Sequence, residues 1–225
     1  MNDSSLSILK SQLGGIDQHR RLLVAIGVFV VMLVFLSIVS EGSLSYFGIN
    51  ILSTNTGALV FAAMGQTIVF LLGGFDLSAG ATLSLVNIIV AQNTGDSTLS
   101  QVLMVFVGIG VGAAVGAFNG FFIAFMRLQP VVVTLASMFI ILGLNLLLMP
   151  NPGGYIPNEF SYFFTGDLIV DGFPAALVWI LLALVIWALI KRTRFGTAIY
   201  AVGSSEEAAH ANGISVARTK FFGYM

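Results

Sequence analysis

From Leu22 to Ser40 the chain runs 19 residues without a charge, close to the roughly 20 that a helix needs to cross a hydrocarbon core. Further apolar stretches extend from Gly57 to Leu72, Leu77 to Ala91, Val102 to Met126, Val131 to Met149 and Ala175 to Ile190. The pattern predicts an all-α fold, a polytopic transmembrane bundle of about six spans. The stretch from Leu77 to Ala91 is the weakest, because its 15 residues make a helix of only about 22 Å against a core of roughly 30 Å. Either it extends toward Gly95 or it is one part of a broken helix.

Composition agrees with a membrane protein. Hydrophobic residues make up 57% of the 225 and charged residues 8%, where a soluble domain carries roughly 25% charged. A net charge of -1 gives no basic footprint for nucleic acid. The absence of cysteine excludes disulfides, thiolate metal sites and a cysteine nucleophile together. His19 and His210 are far apart and stand near basic residues, so no metal cluster and no cofactor is expected.

Charge placement sets the expected orientation, because basic residues near span ends stay on the cytoplasmic side. With both termini cytoplasmic, six crossings put Lys10, Arg20, Arg21, Arg127, Lys191, Arg192, Arg194, Arg218 and Lys220 inside. The outer loops then hold Glu41, Asp96, Glu159, Asp167 and Asp171 and no basic residue. Arg20-Arg21 could introduce an export signal, but no small-x-small cleavage site follows, and a retained anchor is favoured. The outer stretch from Pro150 to Pro174 is dense in proline, glycine and aromatics, which predicts an ordered interfacial segment. For its single aromatics, a headgroup belt is favoured over a partner surface.

Two places interrupt the pattern. The first is LLGGFDLSAGATLSL at 71–85, where Asp76 is the only charge between Glu41 and Asp96. Gly73-Gly74 weakens a helix by backbone entropy, and Asp76 or Ser78 can cap a new helix starting at Leu77 or Ala79. Neither GxxxxGK[ST] nor GxGxxG fits, so no phosphate loop is present. Two readings stand equally: a short cytoplasmic turn with a solvated Asp76, or a discontinuous helix lining a polar passage. Gln66, Thr67, Asn87, Asn119, Thr134, Ser137 and Asn145 are further polar residues within spans. For each, interhelical bonding is favoured over contact with a solute. Gly108, Gly112, Gly116 and Gly120 recur every four residues and predict close helix packing.

The second place is Lys191 to Phe222, too long and polar for a turn. Ser204 or Ser205 before Glu206-Glu207 predicts a helix start, with the carboxylates favourably set near the positive end. Gly213 is the expected C-terminal stop of a short helix, presented below the membrane.

In order and spacing, GGFDLSAGATLSL at 73–85, FNGFFIAFMRLQPVVVTLASMFIILGLNLLL at 118–148 and KRTRFGTAIYAVGSSEEAAHANGISVARTKFF at 191–222 resemble the permease subunits of ribose/xylose/arabinose-type ABC importers. The resemblance covers roughly residues 57 to 222. Glu207-Ala208-Ala209, followed after three residues by Gly213, looks like the EAA loop through which importer permeases contact their ATPase. The usual leucine-proline continuation is absent here, as it is in the sugar branch.

The resemblance implies a single transmembrane domain over 1–225, with a cytoplasmic N-terminal segment at 1–21 and a coupling segment at 191–222. Its implied partners are a cytoplasmic ATP-binding subunit, a second permease subunit in a homo- or heterodimer, and a periplasmic sugar-binding protein. Membrane lipid surrounds the chain, and the implied location is the bacterial inner membrane. Glu206, Glu207, Ala208, Ala209 and Gly213 would couple to the ATPase. Gly73, Gly74, Asp76, Ser78, Asn87, Asn119 and Asn145 would form the helix break or line the pathway. The chain itself would carry no catalysis. Family members continue with further spans after the coupling segment, so a C-terminally incomplete permease is expected. A nucleoside, an autoinducer-type furanose or a branched-chain amino acid are alternative solutes, and a non-transporting remnant is another alternative.

Overall fold

The structure is a computed structural model that describes the backbone of residues 3–40, 42–166 and 173–225, and the side chains of residue 20 and from residue 22 onward within those limits. Glu41, Asp167 and Asp171 of the expected acidic outer set lie outside the described residues, as do the side chains of Lys10, His19 and Arg21. Two compact units divide at Ile51 and Leu52.

In the first unit, α1 (Asp3–Val39) carries the apolar run Leu22–Val39, none of which is buried. Such a surface is stable only in lipid or against a partner. The second helix, α2 (Tyr46–Leu71), begins earlier than the hydropathy pattern predicts. Polar Ser53, Thr54, Asn55 and Thr56 sit inside it without ending it, because a helix satisfies its own backbone groups.

The second unit, from Leu52 on, is built around the end of α2. Gly73 adopts φ +76, its N–H donates to Phe70 O at 3.0 Å, and Gly74 N–H donates to Val69 O at 2.9 Å. This is a Schellman stop, which glycine makes at no steric cost. Next comes α3 (Ala79–Asn93), which does not reach Gly95 and stays 15 residues long, about 22 Å. A serine cap, Ser97 Oγ accepting from Ser100 N at 3.3 Å, opens α4 (Thr98–Ala124). Pro130 occupies the first turn of α5 (Pro130–Leu148), where its missing N–H costs nothing. Then follow α6 (Asn158–Thr165), α7 (Ala175–Lys191), α8 (Arg194–Ser204), α9 (Glu206–Ala211) and α10 (Val216–Tyr224).

Of the about six spans expected, with one possibly broken, four helices among the described residues, α1, α2, α4 and α5, are long and apolar enough to cross a membrane, or five if α7 and α8, bent by 73°, count as one. The stretch Leu77 to Ala91 fails by length alone: α3 is apolar but about one turn and a half short of the core thickness.

Burial is sparse and local. Val69, Ile123, Val133 and Tyr224 form one cluster, Leu72, Ile199, Val202 and Ala209 a second, and Ala81, Leu85 and Ile141 a third. Large apolar side chains such as Leu147, 80% exposed, point outward, as expected where the surroundings are lipid. The glycine stripe on α4 divides its labour. A side chain at Gly116 would strike the backbone of Tyr224, and one at Gly120 would lie 2.8 Å from Phe221 O, so both admit α10. Gly108 lies against Val86 of α3, and a β-carbon at Gly112 would meet nothing within 4 Å.

The connection after α5 is ordered and anchors the far end of α3. Tyr155 N–H donates to Ala91 O at 2.9 Å, Gln92 donates to Leu148 O at 2.7 Å, and Gly154 at φ +98 sits where a β-carbon would come within 2.8 Å of Ala91. The Tyr155 hydroxyl points at Asp96 Oδ1 from 3.4 Å, and that carboxylate raises the phenol above its ordinary range. Phe163 and Phe164 pack on Trp179 of α7, with ring centres 5.4 and 5.6 Å away. They serve packing, while Tyr155 and Tyr162 remain exposed.

Candidate functional site: the break between α2 and α3

Residues Gly73 to Ser78 form the non-helical connection between α2 and α3, and neighbouring helices supply contacts to it. From α2, the amide of Gln66, assigned from the hydrogen-bond network, donates to Asp76 O at 3.1 Å and accepts from Asp76 N at 3.2 Å. From α4, Asn119 Nδ2 donates to Ser78 Oγ at 2.9 Å. From α5, Thr134 Oγ1 lies 3.0 Å from Pro130 O and 3.3 Å from Phe75 O, so one hydroxyl proton is held between its own helix and the break. From α10, the Tyr224 hydroxyl occupies the place a Gly74 side chain would take.

The local chemistry differs from simple capping. Asp76 Oδ1 accepts from Ser78 N at 2.7 Å and from Ser78 Oγ at 2.7 Å, an Asx turn. The helix begins at Ala79 with Ser78 as N-cap, but the Ser78 side chain makes no capping bond. Its hydroxyl is committed instead between Asn119 and Asp76, a relay in which each bond polarises the next. Ser78, Asn119 and Thr134 are 1%, 0% and 0% exposed, whereas Asp76 is half-buried. Asn119 stands five residues before the end of α4, about 7.5 Å, so the break lies inside the bundle close to that end.

Satisfaction is incomplete. Asn119 Oδ1, Asn145 Oδ1 and Tyr224 Oη are buried with no hydrogen-bond partner among the described residues. Each such group costs about 1–3 kcal/mol, so the region is held in shape at some expense of stability.

Of the residues expected from sequence, Gly73, Gly74, Asp76, Ser78 and Asn119 come together here. Asn145 donates to Ala81 O at 3.2 Å, one turn into α3. Asn87 is exposed on α3 and takes no part. Tyr224 went unrecognised, since a tyrosine near an aromatic run carries no local signal of its partner. Gln66 and Thr134 stood out as polar residues in spans, but nothing in the sequence says that both reach the same break.

The coupling segment forms a separate surface. Ser205, not Ser204, caps α9 by accepting from Ala208 N at 3.2 Å. Gly213 at φ +78 closes it, with Gly213 N donating to His210 O at 2.9 Å and Ile214 N to Ala209 O at 3.0 Å. Ala209 is 3% exposed and packs with Leu72, Ile199 and Val202. Glu206, Glu207, Ala208 and Gly213 face outward. Lys220 Nζ of α10 donates to Glu206 Oε1 at 2.6 Å, an exposed pair worth at most about 1 kcal/mol. Leu72, which anchors α9, is the residue directly before Gly73. Among the described residues no cluster of His, Cys, Asp and Glu could hold a metal.

Comparison with known proteins gives one family model, described as "Branched-chain amino acid transport system / permease component", matching residues 47–225. The ribose import permease protein of Escherichia coli strain K12 is 32% identical over 205 residues, 87% of this chain and 63% of that protein. The galactose/methyl galactoside import permease protein of Salmonella typhimurium is 29% identical over 212 residues, 85% of this chain and 63% of that protein. The fructose import permease protein of Rhizobium meliloti is 32% identical over 200 residues, 85% of this chain and 56% of that protein. The chain thus spans a little under two thirds of the length of these relatives. No solved structure matches.

Proposed function

The chain belongs to the family of branched-chain amino acid transport system permease components, and from that membership we propose that it is the transmembrane permease subunit of an ATP-binding-cassette importer that carries a monosaccharide into the cytoplasm. The names of the ribose, galactose and fructose permeases support a sugar as solute. In this reading the protein sits in the bacterial inner membrane with both termini inside. ATP is hydrolysed on a separate cytoplasmic subunit, a second permease copy or homologue completes the pore, and a periplasmic binding protein delivers the solute. Residues 1–225 act as one transmembrane domain, with 191–222 as its coupling segment.

The observation that carries the reading is the seat of α9. A short helix with a capped start and a glycine stop presents Glu206, Glu207 and Ala208 to solvent, while Ala209 is buried in one cluster with Ile199, Val202 and Leu72, at the head of the break. Pressure from an ATPase on α9 reaches the α2–α3 junction through this buried cluster. Gly73, Gly74, Asp76, Ser78, Asn119 and Asn145 then form the moving part of the pathway, with Asn87 exposed further along α3. This chain forms and breaks no covalent bond; its work is alternating access.

The test uses the permease with its ATPase and binding protein in proteoliposomes. Glu207→Arg is expected to lower solute-stimulated ATP hydrolysis and uptake by about tenfold or more, the scale of a lost coupling free energy of 1–3 kcal/mol. Undiminished stimulation and uptake would sink the coupling role. The family description names branched-chain amino acids, so labelled leucine is run beside ribose, galactose and fructose. Uptake of leucine alone would replace the sugar reading.

A further inference from the structure

Tyr224 is 6% exposed, yet its buried hydroxyl forms no well-made hydrogen bond among the described residues and lies only near the backbone of Phe75, inside the break. Phenylalanine would fill the same cluster with Val69, Ile123 and Val133, so apolar packing does not account for the oxygen. What the oxygen does occupy is the niche of Gly74. A β-carbon there would collide with Tyr224 Oη and would lie 3.1 Å from Tyr224 Cζ and 3.3 Å from Val69 Cγ1. Gly74 is not among the residues with positive φ, so it is the phenol and not the backbone conformation that demands glycine. The rest of α10 is equally constrained. Its backbone rides on Gly116 and Gly120 of α4, Gly223 faces Leu72 Cδ1, and Lys220 holds Glu206 at the start of α9.

We propose that Tyr224 is a positioning residue, a wedge whose hydroxyl, seated against Gly74, transmits displacement of the α9–α10 segment to the helix break. Motion of α9 then has two routes to the break: the buried cluster that Ala209 shares with Leu72, and Glu206 through Lys220 and α10 to the Tyr224–Gly74 contact. The first pushes on the end of α2. The second grips the non-helical backbone beyond it. Packed contacts of this kind switch between discrete arrangements, since an interlocked interface does not deform continuously. The proposal rests on the coupling function above.

The experiment exchanges one heavy atom across the contact. Gly74→Ala adds a methyl where the hydroxyl sits, Tyr224→Phe removes the hydroxyl, and the double variant moves the atom from one side to the other. The chain has no native cysteine, so Phe75→Cys reports on the break by its labelling rate in membranes, with no need for transport. Gly74→Ala is expected to raise that rate by about five- to tenfold, as for a coupling energy near the low end of the allosteric range, and the added Tyr224→Phe to restore it. In the reconstituted complex each single variant lowers solute-stimulated ATP hydrolysis, and the double variant recovers it. Tyr224→Phe alone melts no lower than wild type, which separates lost coupling from lost fold. The wedge is overturned if Tyr224→Phe leaves stimulation unchanged, or if the double variant is no better than Gly74→Ala alone. Should the wild-type complex move no solute, the proposed function fails, while the labelling rates still decide the contact.

Discussion

At the scale of residues, the break is a place where small atoms have fixed duties. Asn119 donates to Ser78 Oγ yet leaves its own oxygen unpaired and buried. Removing both ends of that imbalance with Asn119→Leu is expected to leave thermal stability within about 1 kcal/mol of wild type, because a lost net bond and a lost orphan offset each other. Uptake measured beside the melt then separates roles: a pathway residue loses transport at unchanged stability, and a packing residue loses neither. Gly203 makes a sharper prediction. A β-carbon at that position would strike the Leu71 carbonyl oxygen, a backbone atom that cannot rotate away. Gly203→Ala should therefore cost about 1–3 kcal/mol, as overpacking does, read as a lower melting midpoint in detergent.

At the scale of elements, two short helices depend on their ends. The six residues of α9 fall below the length at which a helix is stable alone, so its cap and its Ala209 seat decide whether it exists. Ser205→Ala is expected to cost about 1 kcal/mol and to show as faster amide exchange confined to Glu206–Gly213, with α4 and α5 unchanged. The helix α3 is held at its start by Asn119 and Asn145 and at its far end by Gln92 and Tyr155. A helix too short to cross a bilayer stays at depth only when its ends are buried in protein or line a cavity. The helix break at Gly73-Gly74, the Ser205 cap and the Gly213 stop were legible in the sequence, because each is made by residues within six positions of one another, whereas Asp76 was read as a cap and forms an Asx turn instead. The partners of the break were not, since Ser78 and Asn119 are separated by 41 residues and Phe75 and Thr134 by 59.

At the scale of the whole molecule, the basic residues predict one labelled face. Single cysteines in place of Arg127 and Arg194 are expected to react only with reagent admitted to the cytoplasmic side, and one in place of Glu159 only with reagent outside. The reverse pattern would overturn the inside location of both termini. The sequence by itself determined that the protein is helical, that it lies in a membrane, where α2 breaks, and that a capped helix lies beyond α7. Those features follow from hydrophobic runs, charge placement and the conformational preferences of glycine, serine and aspartate, all of which act over a few residues. The structure alone decided that α3 does not extend to Gly95 and that four helices converge on the break. It alone brought Tyr224 into the niche of Gly74. Such contacts join segments whose separation along the chain carries no periodic signal, and only the packed backbone brings a missing side chain in the break against a phenol on α10.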